Sequence, residues 1–255
     1  VATDLYKPSS ARIIDYFLGG DHNYAVDRRL ARQFEEVFPG IAHGWRLQRR
    51  FLSRVTAYLI WKEGIHCFLD FGSGLPTCGN LHEVALFHTP RARILYSDND
   101  PEIVEYGEQF VIGSGLDNVR YLACDAARPE TLLDDPAVGE LFGQERRIAV
   151  GFTSLAHLLE QDVLARSLRV IYDWVAPGSH LTFSFANDQT NDFPELVMLL
   201  RSLRSFYPRP SAEILELLGP WQVTRHGVRC CACWPKSYAP EGVLRTNSVL
   251  LAYKP

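Results

Sequence analysis

From Ser9 to Lys62, apolar positions recur at the spacing of amphipathic helices, with no strand-like alternation. Ile13, Ile14, Phe17 and Leu18 share one side of a first segment, which Ser9 or Ser10 can cap and Gly19-Gly20 stops. Asp21 or Asn23 then opens a second helix carrying Val26, Leu30, Phe34, Val37 and Phe38, ended by Pro39-Gly40. A third is predicted from about Trp45 to Lys62. These helices are expected to form an N-terminal cap, residues 1–64, ahead of a core spanning 65–255.

After Gly64 the pattern changes, because short apolar runs meet turns and alternate with helical stretches, which is the signature of βαβ units. Strands are predicted over Ile65–Phe71, Arg93–Ser97, Val119–Ala123, Ile148–Phe152 and His180–Phe185. Helices are predicted over Thr77–Phe87, Pro101–Val111, Leu159–Val175 and Asp192–Phe206. A short helix around Ser211–Leu218 precedes two more strands, Gln222–His226 and Ser248–Tyr253, joined by a loop containing Pro235, Pro240 and Gly242. With no long helix between them, these two can pair antiparallel at one edge of an otherwise parallel α/β sheet.

The 26 basic and 30 acidic side chains leave a net charge of −4, and 47% of the 255 residues are hydrophobic, so the chain can bury a sizeable core. That charge supplies no global field to attract phosphate backbones, and no nucleic-acid partner is expected. No apolar stretch reaches membrane-spanning length, and VATDLYKPSS lacks the grading of a signal peptide, so neither a membrane nor export is expected. Six Cys in a chain large enough to need no staples fit a reducing, cytoplasmic compartment.

The most informative segment is FLDFGSGLPT, residues 68–77. An apolar strand ends in Asp70, and Gly72 and Gly74 let the backbone turn tightly against a ligand. A dinucleotide fingerprint requires a third glycine where Thr77 stands. A carboxylate ahead of the glycines also disfavours a pyrophosphate, whereas an ammonium or sulfonium welcomes it. Asp98 closes the second strand, where such folds place an acid for ribose hydroxyls, and Asp125 closes the third, where an acid can accept from an adenine amine. The alternative for each Asp is a helix cap or turn residue.

Four stretches, ARIIDYFLGGDHNYAVDR (11–28), FLDFGSGLPTCGNLHEVA (68–85), ILYSDNDP (94–101) and SLAHLL (154–159), together resemble class I S-adenosylmethionine-dependent methyltransferases with a Rossmann-like sheet. The resemblance is closer to the actinobacterial S-adenosyl methyltransferase family, formerly a domain of unknown function. It implies S-adenosylmethionine (SAM) as cofactor, with Asp70, Gly72 and Gly74 holding the methionine moiety, Asp98 and Asn99 the ribose, and Asp125 with Ala126 the adenine. It further implies that Arg12, Tyr16, Gly19, Gly20, Asn23 and Tyr24 build a lid over the cofactor; the alternative is an ordinary helical hairpin. From Pro177 onward the likeness is looser.

His157, just past the fourth strand, is the candidate general base, since imidazole is matched to removing a proton near neutral pH; a His bonded to the backbone is the other reading. The Arg46, Arg50, Arg54 face of the third helix reads as solvated, with a phosphate-binding face as the alternative. His226, Cys230, Cys231 and Cys233 lack the spacing of a zinc site, and no metal is expected. His82 reads as a packing or capping residue. After the fourth strand there is neither an Asn/Asp-Pro-Pro-Tyr nor a Pro-Cys signature, which shifts weight toward a small-molecule acceptor. A non-catalytic SAM-binding module and, less well supported, a nicotinamide oxidoreductase are the competing classes.

Overall fold

In the computed structural model, which describes residues 7–236 and 245–255, the periodic apolar positions form α1 (Ser10–Leu18), α2 (Ala25–Val37) and α3 (Ile41–Glu63). Their caps differ from expectation. Ser9 precedes α1 but its side chain caps nothing, and α2 starts after Tyr24 rather than at Asp21 or Asn23. Both helix starts converge on the buried carboxylate of Asp27. Its Oδ1 accepts from Ser9 N–H at 2.9 Å, and its Oδ2 from Tyr24 N–H at 2.9 Å and Arg12 Nε at 2.8 Å. A carboxylate removed from water needs several donors or a cation, and Asp27 has both.

The remaining elements alternate as predicted: β1 (Cys67–Phe71), α4 (Leu81–His88), β2 (Arg93–Asp98), α5 (Pro101–Ser114), β3 (Val119–Ala123), α6 (Glu130–Leu133), α7 (Pro136–Phe142), β4 (Ala149–Phe152), α8 (Gln161–Trp174), β5 (His180–Ala186), α9 (Pro194–Leu203), α10 (Ser211–Leu217), β6 (Gln222–Val223), β7 (Arg229–Cys230) and β8 (Asn247–Tyr253). Three departures have local causes. The helix expected from Thr77 starts at Leu81, where Asn80 and Glu83 form a capping box. Between β3 and β4 lie two unpredicted short helices, the second capped by Asp135 ahead of Pro136. The strand expected over Gln222–His226 breaks at the Thr224–Gly227 turn into β6 and β7. Pro240 and Gly242 of the predicted loop lie outside the described residues.

The sheet order is β3-β2-β1-β4-β5-β8-β6, with β1 to β5 parallel and β8 antiparallel to β5. The two last predicted strands do pair antiparallel, but β8 is sandwiched between β5 on one side and β6 and β7 on the other. Alternating residues separate the layers. Cys67, Leu69 and Phe71 pack with Leu132, Phe142, Leu164 and Ile171 of α6, α7 and α8, whereas Phe68, Ile94 and Tyr96 face Phe51, Val55, Leu59 and Ile103 of α3 and α5. The 1–64 segment therefore divides by packing. From Phe51 on, α3 belongs to the sheet's core, while α1, α2 and the first turn of α3 share a separate cluster with Leu196 of α9. Among the described residues no helix is long and apolar enough to cross a membrane.

Arg12 joins the cap to the core, since its Nη1 reaches Glu102 Oε2 of α5 at 2.5 Å and its Nη2 the Lys7 carbonyl at 2.6 Å. Removing it strands the Asp27 carboxylate, which has no solvent exposure. Arg12→Ala is expected to destabilise the protein by about 3–5 kcal/mol, the cost of an uncompensated buried charge, measured by urea unfolding. An unchanged midpoint contradicts the role given to this pair.

Candidate active site

The chain leaves β1 at its C-terminal end, between β2 and β4, where the crossovers part and open α/β sheets bind ligands. Gly72 (φ +61°) and Gly74 (φ +66°) adopt left-handed conformations there, and a Cβ on Gly72 would come within 2.5 Å of the Leu155 side chain. The loop is fixed at three points. Asp98 Oδ2 accepts from Gly74 N–H at 3.0 Å, Tyr121 donates its hydroxyl to the Gly74 carbonyl at 2.9 Å, and Ser73 donates its own to the Asp70 carbonyl at 2.9 Å.

A continuous crevice runs past this loop. Asp70, Gly72 and Gly74 line its inner end with Asp15, Gln48 and Arg49. Asp98 and Asn99 line the middle, and Asn99, Asp125 and Ala126 the outer end, with Gly72 common to all three parts. The three strand-end acids are thus brought to one cleft. Asp98 and Asp125 also serve local turns, accepting from Asp100 N–H at 3.1 Å and Ala127 N–H at 3.0 Å. Each carboxylate has further lone pairs, so this use leaves capacity for a ligand's donors.

The lid candidates are placed differently. Arg12 is committed to the ion pairs above, and its guanidinium lies 5.0 Å from the centre of the Tyr24 ring. Tyr16 packs in the α1–α2 cluster, Gly19 is the left-handed C-cap of α1, and none of these four residues lines the crevice. Gly20 and Asn23 act through Asp15, a residue the sequence reading missed. Buried Asp15 accepts from Thr77 Oγ1 at 2.6 Å and Asn23 Nδ2 at 2.8 Å, and a Cβ on Gly20 would come within 2.0 Å of Asp15 Oδ1. Thr77, standing where a dinucleotide fingerprint has glycine, therefore ties the glycine loop to the cap.

Beyond β4, Ser154 has φ +59°, the one non-glycine residue with positive φ among those described. Its N–H donates to Ser184 Oγ at 2.8 Å, and Gln48 Nε2 donates to the same oxygen. Behind Ser154 opens a second cavity of about 520 Å³, within the range of small-molecule sites. Trp45 and Ser154 line both this cavity and the crevice, as does His157. His157 is a poor base here. Burial first, then the guanidinium groups of Arg204 and Arg209, push its pKa down to about 3, and its Nδ1 accepts from Ala186 N–H at 3.2 Å. The geometry speaks against general-base catalysis by His157, since the Nδ1 lone pair that would take the proton is engaged by the Ala186 N–H.

The family model for S-adenosyl methyltransferase matches residues 2–250. The chain belongs to the S-adenosyl methyltransferase family. It is 30% identical to a protein of Thermobifida fusca YX named as a candidate methyltransferase, with TM-score 0.90 over 98% of this chain and 96% of the other. It is 26% identical to a DUF574 family protein from Streptomyces avermitilis MA-4680, with TM-score 0.89 over 99% of each chain. The magnesium protoporphyrin IX methyltransferase of Synechocystis PCC 6803, with bound SAH, shares the fold at 14% identity and TM-score 0.58 over 95% and 98% of the two chains. Nothing matches among curated proteins.

This methyltransferase uses SAM, and its inner crevice fits the charges of the methionine half. Asp70 Oδ1 is buried without a partner, and a Cβ on Gly151 would lie 2.1 Å from it. Arg49 forms no salt bridge or side-chain hydrogen bond with a described residue. Of the remaining candidates, His82 Nδ1 lies 2.9 Å from the Tyr96 hydroxyl as a packing residue, and no described group of His, Cys, Asp and Glu can hold a metal. Arg46 and Arg50 are exposed, but Arg54 donates to the carbonyls of Trp234 (2.8 Å) and Cys231 (2.6 Å) rather than to solvent.

Burial pushes the Asp70 carboxyl up to about 6 from 3.8, against the opposing pull of Ser73 and Arg49. Between these values the folded protein holds a proton that the unfolded chain releases, so this group's contribution to stability falls as pH rises through that window. Asp70→Asn is therefore expected to raise the melting temperature of the cofactor-free protein at pH 7.5 but not at pH 3.5, and to abolish stabilisation by SAM. Melts at both pH values with and without SAM check this, and a lower melting temperature for the variant at pH 7.5 contradicts it.

Proposed function

We propose that the protein transfers the methyl of SAM to a small-molecule acceptor bound in the 520 Å³ cavity. The observation that carries this reading is the wall of Trp45, Ser154 and His157 shared by crevice and cavity, a boundary across which a donor and an acceptor can meet. In this reading Asp70 takes the cofactor's ammonium and Arg49 its carboxylate, Asp98 and Asn99 the ribose, and Asp125 with Ala126 the adenine end. α1, α2 and the first turn of α3 serve as the cap, acting through Asp15 and Thr77 on the glycine loop. SAM supplies a methyl already activated on a sulfonium, so the protein's task is alignment and exclusion of water.

The cavity wall supports a small acceptor: it is mostly apolar and contains no Asp, Glu, Lys or Arg among its described residues. Calorimetry with SAM, its demethylated product SAH and NAD tests the cofactor half of the reading. SAM and SAH are expected to bind and NAD not, and comparable NAD affinity sinks the assignment. Asp98→Ala is expected to weaken SAM by about 1–3 kcal/mol, the cost of unpaired ribose hydroxyls together with a loosened Gly74 N–H.

A further inference from the structure

His157 lines both the crevice and the cavity, and only one of its ring nitrogens is engaged within the protein. With Nδ1 accepting from Ala186 N–H, the neutral ring carries its hydrogen on Nε2, which has no hydrogen-bond partner among the described residues. The ring is held edge-on to Phe206 at 5.2 Å between centres, on the wall between crevice and cavity. The charges of Arg204 and Arg209 both act on it, Arg209 Nε pairing with Glu213 at 2.9 Å, and Asp98 and Asp100 line the same crevice. The neighbouring Tyr207 hydroxyl is engaged with Glu160 at 3.5 Å. What His157 offers an acceptor is thus a hydrogen-bond donor in a positive local field, and the cavity's second imidazole is that of His43 on α3.

Resting on the methyl-transfer reading above, we propose that the acceptor is an apolar ring molecule methylated on an oxygen that it brings as an oxyanion, an acidic phenol or enol, and that His157 holds this oxygen through Nε2–H. The ring skeleton follows from Phe38, Trp45, Leu196, Leu200 and Phe206 around the cavity. The oxyanion follows from charge. An amine acceptor would end the reaction as an ammonium, in a cavity whose described wall has no carboxylate and whose His157 lies in the field of Arg204 and Arg209. With an oxyanion, the negative oxygen and the positive sulfonium disappear together. The hydroxyl's proton goes to solvent as the acceptor binds. An oxygen lone pair then forms the O–CH3 bond while the C–S pair returns to sulfur, giving a methyl ether and a neutral thioether. The low proton affinity of His157 agrees with this role, because the ring stays neutral and keeps donating across the working pH range.

The test uses 7-hydroxycoumarin, whose phenol and phenolate absorb at different wavelengths, titrated into the SAH-loaded protein, so that ionisation is read without turnover. At a pH below the dye's own pKa, the bound dye is expected to hold about tenfold more phenolate than the free dye. His157→Gln, which retains an N–H donor, should keep most of this shift, and His157→Leu should lose it. With SAM in place of SAH, the methyl should appear on the coumarin oxygen, while 7-aminocoumarin remains unmethylated. Binding of the dye as the neutral phenol, failure to bind it at all, or N-methylation of 7-aminocoumarin overturns the proposal. The methyl-transfer reading fails separately, if SAH does not bind in the calorimetric titration. The wild-type spectrum decides even where a His157 variant does not fold.

Discussion

A carboxylate at the end of β1 has to lie between two strands and beneath the glycine loop, and much of the site follows from that constraint. Asp70 can occupy this position only because β4 carries Gly151 opposite it, where any side chain would overlap Oδ1. Burial disfavours its charge more than Ser73 and Arg49 favour it, and the same burial prepares it to pair with an ammonium. The glycines after it turn the chain back, and Asp98 of β2 and Tyr121 of β3 hold the turn.

Three buried carboxylates show how solvation separates scaffold from site. Asp27 is satisfied by two backbone donors and a guanidinium and belongs to the cap's internal architecture. Asp15 is satisfied by Thr77 and Asn23, and it joins two elements distant in sequence. Asp70 retains an unpartnered oxygen. The cap therefore bears on the glycine loop through the Asp15–Thr77 hydrogen bond and the close approach at Gly20, and α1 itself lines the crevice with Ala11, Ile14 and Asp15.

The acceptor side is organised by different physics. Its walls come from the cap, the residues after β4, α9 and the beginning of β8, so no single sequence segment encloses it. Ser154 is held in a costly backbone conformation by Ser184, which also anchors Gln48 of α3. Methyl transfer from a sulfonium asks for alignment more than for proton movement, and a neutral imidazole that donates a hydrogen bond suits that demand.

The alternating apolar runs determined the parallel sheet, the D-x-G-x-G turn and the acids at three successive strand ends, because each depends on local chain stiffness and on period-two burial within a few residues. Asn80 and Glu83 carried a capping signal that fixes where α4 begins, and Thr77 was legible as a missing glycine but not as a tether. Only the tertiary structure decided that Tyr16 and Arg12 belong to the cap's packing, that Asp15 and Arg49 face the crevice, and that His157 Nδ1 is engaged by a backbone N–H. Those outcomes depend on which distant groups burial brings together. The direction of His157, for instance, is set by the Ala186 N–H, 29 residues further along the chain. A side chain's type is local information, whereas its solvation and hydrogen-bond partners belong to the folded whole.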